Sequence, residues 1–482
     1  MMSKKASINW KQIQAAQAKL KASVEADPWR LSYHQMPETG WLNDPNGAVQ
    51  FDGVYHLYHQ YVPEDPKGGA THWGHKTSTD MVQFKDEEIF MSPDQAFDQD
   101  GVYSGSAIVL DDKIHFFYTG NVKNEGDHDY TFSGREQNTV HVVSPDGFTI
   151  ESREVIIPHS AYPEGFTDHI RDPKVFELNG KYYLILGARR RTNMGSILIY
   201  SSPNLYDWEY EGVFLEGDEE QGYMWECPDY FNVSGKDILV FSPQGILPTT
   251  YNYHNPHAAT YLTGQVNWDE LKFQVEEDFR ELDHGFDFYA PQTFEDDQGR
   301  RIMWVWMGIG DTQPEYNNPT IARGWQHAMA LPRELSFEDG MLKQRPLVEY
   351  QTLRGQELSY SLTELSSDTL RGEVYELLIE FDERPKDFEL QLRQDTSVTY
   401  QDGELTLRHG ESGYGRRKRT LPLESLSQLH IFSDTSSLEI FVNDGEAVFT
   451  SRVYPDANQD KIQITGNGTG KVTYWDLATT TK

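Results

Sequence analysis

Four carboxylates stand in short polar motifs that recur along the chain. Asp44 lies in Trp41-Leu42-Asn43-Asp44-Pro45, Asp172 in Arg171-Asp172-Pro173, Glu226 in Trp225-Glu226-Cys227-Pro228-Asp229, and Asp287 in Asp287-Phe288-Tyr289-Ala290-Pro291. A fifth motif, Tyr103-Ser104-Gly105-Ser106, carries hydroxyls instead of an acid. Two carboxylates facing each other across a sugar-sized pocket can cleave a glycosidic bond: one attacks the anomeric carbon while the other protonates the leaving oxygen. The acid must hold a proton near neutral pH, which a partly apolar or anionic neighbourhood favours by raising its pKa. Glu226, between Trp225 and Cys227 and preceded by Met224, is the better acid on that ground. Asp44 and Asp172 each precede a proline that stiffens the strand end, as a nucleophile requires, and the residues alone leave open which of the two attacks.

Residues so far apart meet only if the chain returns repeatedly to one place. Five apolar-aromatic runs point to such a return: VYHLYHQY after Gly53, IHFFYTG after Asp112-Lys113, YYLILGA after Gly180-Lys181, DILVFSPQ after Gly235-Lys236 and RIMWVWMG after Gly299-Arg300. They begin near residues 54, 114, 182, 238 and 302, each is entered through a hairpin-type turn, and most have one of the polar motifs just upstream. Several strands per unit without intervening helices suit propeller blades, so the sequence predicts a five-bladed β-propeller with the motifs on its innermost strands around a central channel. Asp287 is expected in the pocket with the other three carboxylates.

The period ends near Leu335. Residues 339–356 read as a linker with a short helical turn, and residues 357–482 as a β-sandwich of seven or so alternating strands, assigned to support. Residues 5–25, rich in Ala, Lys and Gln, predict an exposed helix within an N-terminal extension spanning 1–30, which leaves 31–338 for the propeller. The expected class is therefore all-β with one short N-terminal helix.

Composition narrows the partner. The chain has 42 Lys plus Arg against 76 Asp plus Glu, a formal net charge of −34, which repels phosphate backbones and anionic lipid and argues against nucleic-acid and membrane-surface roles. No stretch approaches a membrane helix, and the polar Trp10-Lys11-Gln12 stands where a signal peptide needs an apolar core, so a soluble, cytoplasmic protein is expected. A single cysteine, Cys227, excludes an intramolecular disulfide. His56 and His59, like His72 and His75, are three apart, a spacing that points to opposite faces of a strand, so neither a metal nor another cofactor is expected. The 13% aromatic content suits a sugar partner, whose C–H faces pack on flat rings.

Taken with Trp73-Gly74-His75 and the extension Asn46-Gly47, the motifs at Asp44, Tyr103, Arg171 and Glu226 resemble, in order, those of glycoside hydrolase family 32. That family comprises invertases, fructanases and sucrose-6-phosphate hydrolases, and the resemblance runs from about residue 31 to the C-terminus. It implies a five-bladed propeller followed by a sandwich, and metal-free retaining hydrolysis of β-fructofuranosides. Carried over by motif, Asp44 is the nucleophile, Glu226 the general acid/base, and Asp172 the stabiliser of the oxocarbenium-like transition state. The family more often has Phe where this chain has Tyr103. Asn43, Gln60, Ser104 and Asp172 suit the fructosyl hydroxyls, and Trp73 and Trp306 are candidate apolar walls, with simple core packing an equal reading for both. Trp41, Leu42 and Tyr103 are expected at the substrate through their motifs, and Arg171 is expected to keep Asp172 ionised by pairing.

Trp325 with Pro332-Arg333-Glu334 resembles the GW…LPREL stretch of the phosphate-sugar subgroup, so sucrose 6-phosphate or sucrose is the expected substrate, with a fructan, a transfructosylation acceptor or a non-catalytic sugar-binding role as alternatives. A phosphorylated substrate needs local cations in so acidic a chain, and Arg189-Arg190-Arg191 is the candidate, whereas Arg416-Arg417-Lys418-Arg419 reads as a solvated loop.

Overall fold

The structure, a computed structural model, describes residues 10–363, 365 and 370–480. Five antiparallel sheets follow one another along residues 40–346, with first strands Gly40–Phe51, Val102–Leu110, Phe166–Leu178, Met224–Val233 and Tyr289–Glu295 in sheets I to V. Each first strand packs beside that of the next sheet, and the first strand of sheet V returns to that of sheet I, which makes a closed ring. Trp325–Gln326 adds a parallel edge to Gly40–Trp41 and so ties the end of this unit to its beginning. Two six-stranded sheets built from residues 358–476 follow. The architecture is thus all-β, a propeller followed by a β-sandwich.

The sequence pattern explains the sheets. Second strands such as Val54–Val62 are buried almost along their length, because another sheet covers each face, and they read as continuous aromatic-apolar runs. Four of the first hairpins close through two residues that both have positive φ: Asp52-Gly53, Asp111-Asp112, Asn179-Gly180 and Ser234-Gly235. That is the twist-matching turn for which Asn, Asp and Gly are suited. The fifth hairpin is longer, and the Asp296 carboxylate closes it by accepting the backbone N–H groups of Gln298 and Arg300.

Three expectations change. Met341–Pro346, placed in the linker by sequence, is the outer strand of sheet V, paired with Arg333–Glu338, and only Val348–Leu353 forms the short helical turn. The N-terminal helix spans Trp10–Glu25 among the described residues, residues 5–9 lying outside them, and it is anchored rather than free: Val24 is buried, and Leu20 and Val24 pack over Gly324. The basic run at 416–419 is not a solvated loop. Arg416 is fully buried and pairs with Asp287 through two hydrogen bonds of 2.6 and 2.7 Å, while Arg419 stacks 3.9 Å over Phe286.

These contacts join the two units. Asp287 therefore leaves the list of pocket carboxylates: it is 1% exposed, faces the sandwich, and also accepts the Arg452 N–H at 2.8 Å. Arg333 makes a second buried joint, with Asp283 at 3.2 Å and Glu439 at 2.9 Å. Nearby, His34 lies between Asp434 and Glu439 at 2.8 and 3.0 Å.

Candidate active site

Every first strand carries the same irregularity at its motif. Two residues face one on the second strand at Asn43-Asp44 opposite Gln60, Tyr103-Ser104 opposite Thr119, Asp172-Pro173 opposite Leu186, Cys227-Pro228 opposite Phe241 and Ala290-Pro291 opposite Val305. A bulge of this kind bends the strand and re-aims its side chains. Asp172, Cys227 and Ala290 all have positive φ, at 62°, 48° and 52°, in the same position before proline. Aligned by the bulge, Arg171, Glu226 and Tyr289 are equivalent, and Asp287 falls two residues out of phase.

The bulges face one pocket of about 360 Å³, lined by Asn43, Asp44, Gln60, Tyr103, Ser104 and Trp306, by Arg171, Asp172, Glu226, Gln244 and Tyr289, and at its rim by Arg135, His169, His257 and Asp311. Asp44, Asp172 and Glu226 thus meet, as do Asn43, Gln60, Tyr103, Ser104, Arg171 and Trp306. Besides Asp287, three expected substrate contacts do not. Leu42 is fully buried in core, and so is Trp73, whose Nε1 donates to the Tyr103 carbonyl at 3.0 Å. Trp41 is not among the lining residues but touches two of them, donating to Asn43 Oδ1 at 2.7 Å and holding its ring 5.9 Å from that of Trp306.

Asp44 is held from both sides. Asn43 donates to Oδ1 at 3.0 Å, and Oδ2 accepts the Ser104 hydroxyl and, at 3.4 Å, the Gln60 amide. Asp172 Oδ2 accepts the Cys227 N–H at 3.0 Å, and the Cys227 thiol lies 3.7 Å from Asp172 and 3.8 Å from Asp44, bridging the two. The Asp172 N–H donates to Thr119 at 2.9 Å.

Glu226 has donors on both oxygens. Arg171 reaches Oε1 through Nη2 at 2.6 Å and Nε at 3.1 Å; Tyr289 and Gln244 reach Oε2 at 2.6 and 2.7 Å. Arg171 is expected from sequence to serve Asp172, but its nearest approach to that carboxylate is 3.9 Å, because from its place just before the bulge it reaches Glu226 on the neighbouring sheet instead.

The electrostatics of the pocket also differ from expectation. Burial alone would push Glu226 up, yet the Arg171 charge and the Tyr289 hydrogen bond hold it below its ordinary value. Burial pushes Asp44 up to about 6, against the Ser104 hydrogen bond and with help from the Glu226 charge. Asp172 rises to about 7, mainly through burial, with Arg171 opposing. With the Arg171 guanidinium on Glu226, protonation is favoured at Asp44 and Asp172 over Glu226. Tyr289, Gln244, Arg135, His169, His257 and Asp311 had not been singled out by sequence for this site; for Tyr289 the signal was present, since Arg171-Asp172-Pro173, Glu226-Cys227-Pro228 and Tyr289-Ala290-Pro291 align on proline.

Comparison with known proteins agrees with this fold. Residues 34–346 match the glycosyl hydrolases family 32 N-terminal domain, and residues 349–479 match the family 32 C-terminal domain. The chain is 38% identical over 459 residues to a sucrose-6-phosphate hydrolase of Bacillus subtilis, covering 93% of each chain, and 36% identical over 465 residues to a raffinose invertase of Escherichia coli, covering 94% of each. The solved sucrose-6-phosphate hydrolase of Lactobacillus gasseri superposes with a TM-score of 0.87 at 30% identity, over 97% of both chains. The protein belongs to glycoside hydrolase family 32.

Proposed function

We propose that the chain is a retaining β-fructofuranosidase that hydrolyses sucrose 6-phosphate and sucrose, releasing fructose together with glucose 6-phosphate or glucose. The observation that carries this reading is the convergence of Asp44, Asp172 and Glu226, from three bulged strands, on one small pocket furnished with hydroxyl-binding groups. The substrates named for the relatives, sucrose 6-phosphate above all, agree with it. The five sheets are read as five blades around the channel, residues 31–338 as the catalytic unit with its last strand extending to 346, and the C-terminal sheets as its support. A cytoplasmic location belongs to the same reading, since a phosphorylated disaccharide is met inside the cell.

The fructosyl ring sits against Trp306, with its hydroxyls shared among Asn43, Gln60, Ser104 and Asp172. An Asp44 carboxylate oxygen attacks the anomeric carbon as Glu226 gives its proton to the glycosidic oxygen, so the glucosyl product leaves as an alcohol. Asp172 opposes the positive charge growing on the ring. Glu226, now a carboxylate, takes a proton from water whose oxygen attacks the same carbon and frees Asp44; the two inversions give net retention. Proton placement follows from binding. Sugar hydroxyls that donate to Asp172 and Asp44 favour their ionised forms, and two ionised aspartates beside Glu226 raise its proton affinity in turn.

The test is a substrate panel of sucrose 6-phosphate, sucrose, 1-kestose and inulin compared by kcat/KM. The reading expects the two sucrose substrates to lead; preference for inulin would make the protein a fructanase, and no cleavage of any would remove the reading.

A further inference from the structure

We propose that Arg135 and Arg189 form an anion subsite on the leaving-group side of the pocket and read the 6-phosphate of a phosphorylated glucosyl group. The inference rests on the reading given under Proposed function and extends it to residues. A chain of net charge −34 repels a dianion at long range, so a phosphorylated sugar needs cations within contact distance.

The cations around the pocket are few, and most are occupied. Arg171 is committed to Glu226, and its Nη1 donates to His169 Nδ1 at 2.8 Å. His169 therefore carries its proton on Nε2, which donates to the Tyr130 carbonyl at 2.8 Å; it is neutral and fully used. His257 is hydrogen-bonded to Asp311 at 3.1 Å.

Arg135 differs. It lines the pocket, its backbone N–H goes to Asp168 at 3.2 Å, and among the described residues its guanidinium has no carboxylate and no hydrogen-bond partner, although Nε is sheltered from solvent. Arg189 likewise pairs with no carboxylate among the described residues. Its plane is fixed 4.3 Å over the Tyr223 ring and 5.5 Å from that of Phe132, with Nη2 donating to Asn193 at 2.7 Å. Elsewhere Arg153, Arg300, Arg333, Arg345, Arg354 and Arg416 pair with acids, and Arg393, Arg419 and Arg452, which do not, donate to backbone carbonyls instead. Arg135, whose guanidinium holds neither an acid nor a carbonyl among the described residues, and the acid-free Arg189, joined to it through Phe132 and Asp168, mark a place kept for an external anion.

Their place suits the leaving group. Arg135 opens the strand Arg135–Ser144 of sheet II, Arg189 is near the end of Lys181–Arg190 in sheet III, and the segment carrying Phe132 bridges them, its carbonyl accepting the Asp168 N–H at 3.1 Å. Glu226, the group that protonates the leaving oxygen, is tied to this side through Arg171. The structure also sorts the basic triplet: Arg190 pairs with Glu216 and stacks 4.5 Å over Phe166, and Arg191 is exposed, which leaves Arg189, packed on Tyr223 and Phe132 beside the pocket-lining Arg135, as the free cation of the three.

The test measures kcat/KM for sucrose 6-phosphate and for sucrose in wild type, Arg135→Gln, Arg189→Gln and, as a control removing the same charge from the exposed neighbour, Arg191→Gln. A guanidinium-phosphate contact is charge-assisted and often bidentate, so the phosphate/sucrose ratio is expected to fall at least about tenfold in Arg135→Gln, less in Arg189→Gln and not in the control. Inhibition by glucose 6-phosphate, compared with glucose, should weaken in parallel. A wild type without preference for the phosphorylated sugar, or a ratio unmoved in both variants, overturns the subsite while leaving the hydrolase reading intact. A wild type that cleaves neither sugar removes that reading and the subsite with it.

Discussion

Glu226 must give up a proton, yet four donor contacts from three side chains favour its carboxylate form. Proton transfer to a leaving group accounts for about 10²–10⁴-fold of rate. Glu226→Gln should lose that factor on sucrose and far less on an activated phenyl fructoside, which departs without a proton; equal losses on both would deny it the acid role. Tyr289 stabilises the charged form of Glu226, so Tyr289→Phe raises the proton affinity of Glu226, and the alkaline limb of the kcat/KM profile is expected to move to higher pH. An unmoved limb would mean that another group governs it.

At the scale of the strand, the bulge does the positioning, and neighbouring sheets hold it. Gly187, on the second strand of sheet III, lies so close to sheet IV that a Cβ there would meet the Trp225 carbonyl at 2.1 Å and the Glu226 Cα at 3.4 Å. Gly187→Ala must push the Glu226 strand away. A misplacement of about an ångström costs on the order of 10²-fold in rate, so kcat/KM should fall by that order while unfolding stays cooperative; full activity would show that the pocket tolerates the shift.

The same element explains what the sequence revealed. Turn pairs and aromatic runs were legible because each is local, and they placed the strands that bring Asp44, Asp172 and Glu226 together. The bulge phase was not read, although the Pro173, Pro228 and Pro291 alignment carries it, so Asp287 was taken for a pocket residue while Tyr289 went unassigned. Partners distant in sequence had no local signal at all: nothing around Arg416 announces Asp287, and nothing around Trp73 says that its ring faces the core rather than the sugar.

For the whole molecule, the joint between propeller and sandwich is built from buried ions, and its stability must depend on pH. Burial disfavours charge on His34, but the hydrogen bonds it donates to Asp434 and Glu439 outweigh this and raise His34 from 6.5 to about 9. A raised histidine contributes stability that is complete below pH 6.5 and is lost as pH climbs through about 9. Asp434 and Glu439 are held below their ordinary values, so their contribution instead disappears as pH falls through their folded-state values. Urea midpoints should therefore be flat between about pH 5 and 6.5 and decline toward pH 9, with His34→Gln flattening the decline. A wild-type midpoint that rises over that alkaline interval would contradict the assignment.

All of this serves one claim, that Asp44 forms a fructosyl ester which water opens from the same face. The most direct measurement is the anomer of fructose first released, followed by NMR or polarimetry before mutarotation. The account requires β-fructose first. Release of the α-anomer first would mean a single inversion, and Asp44 could not then be the nucleophile.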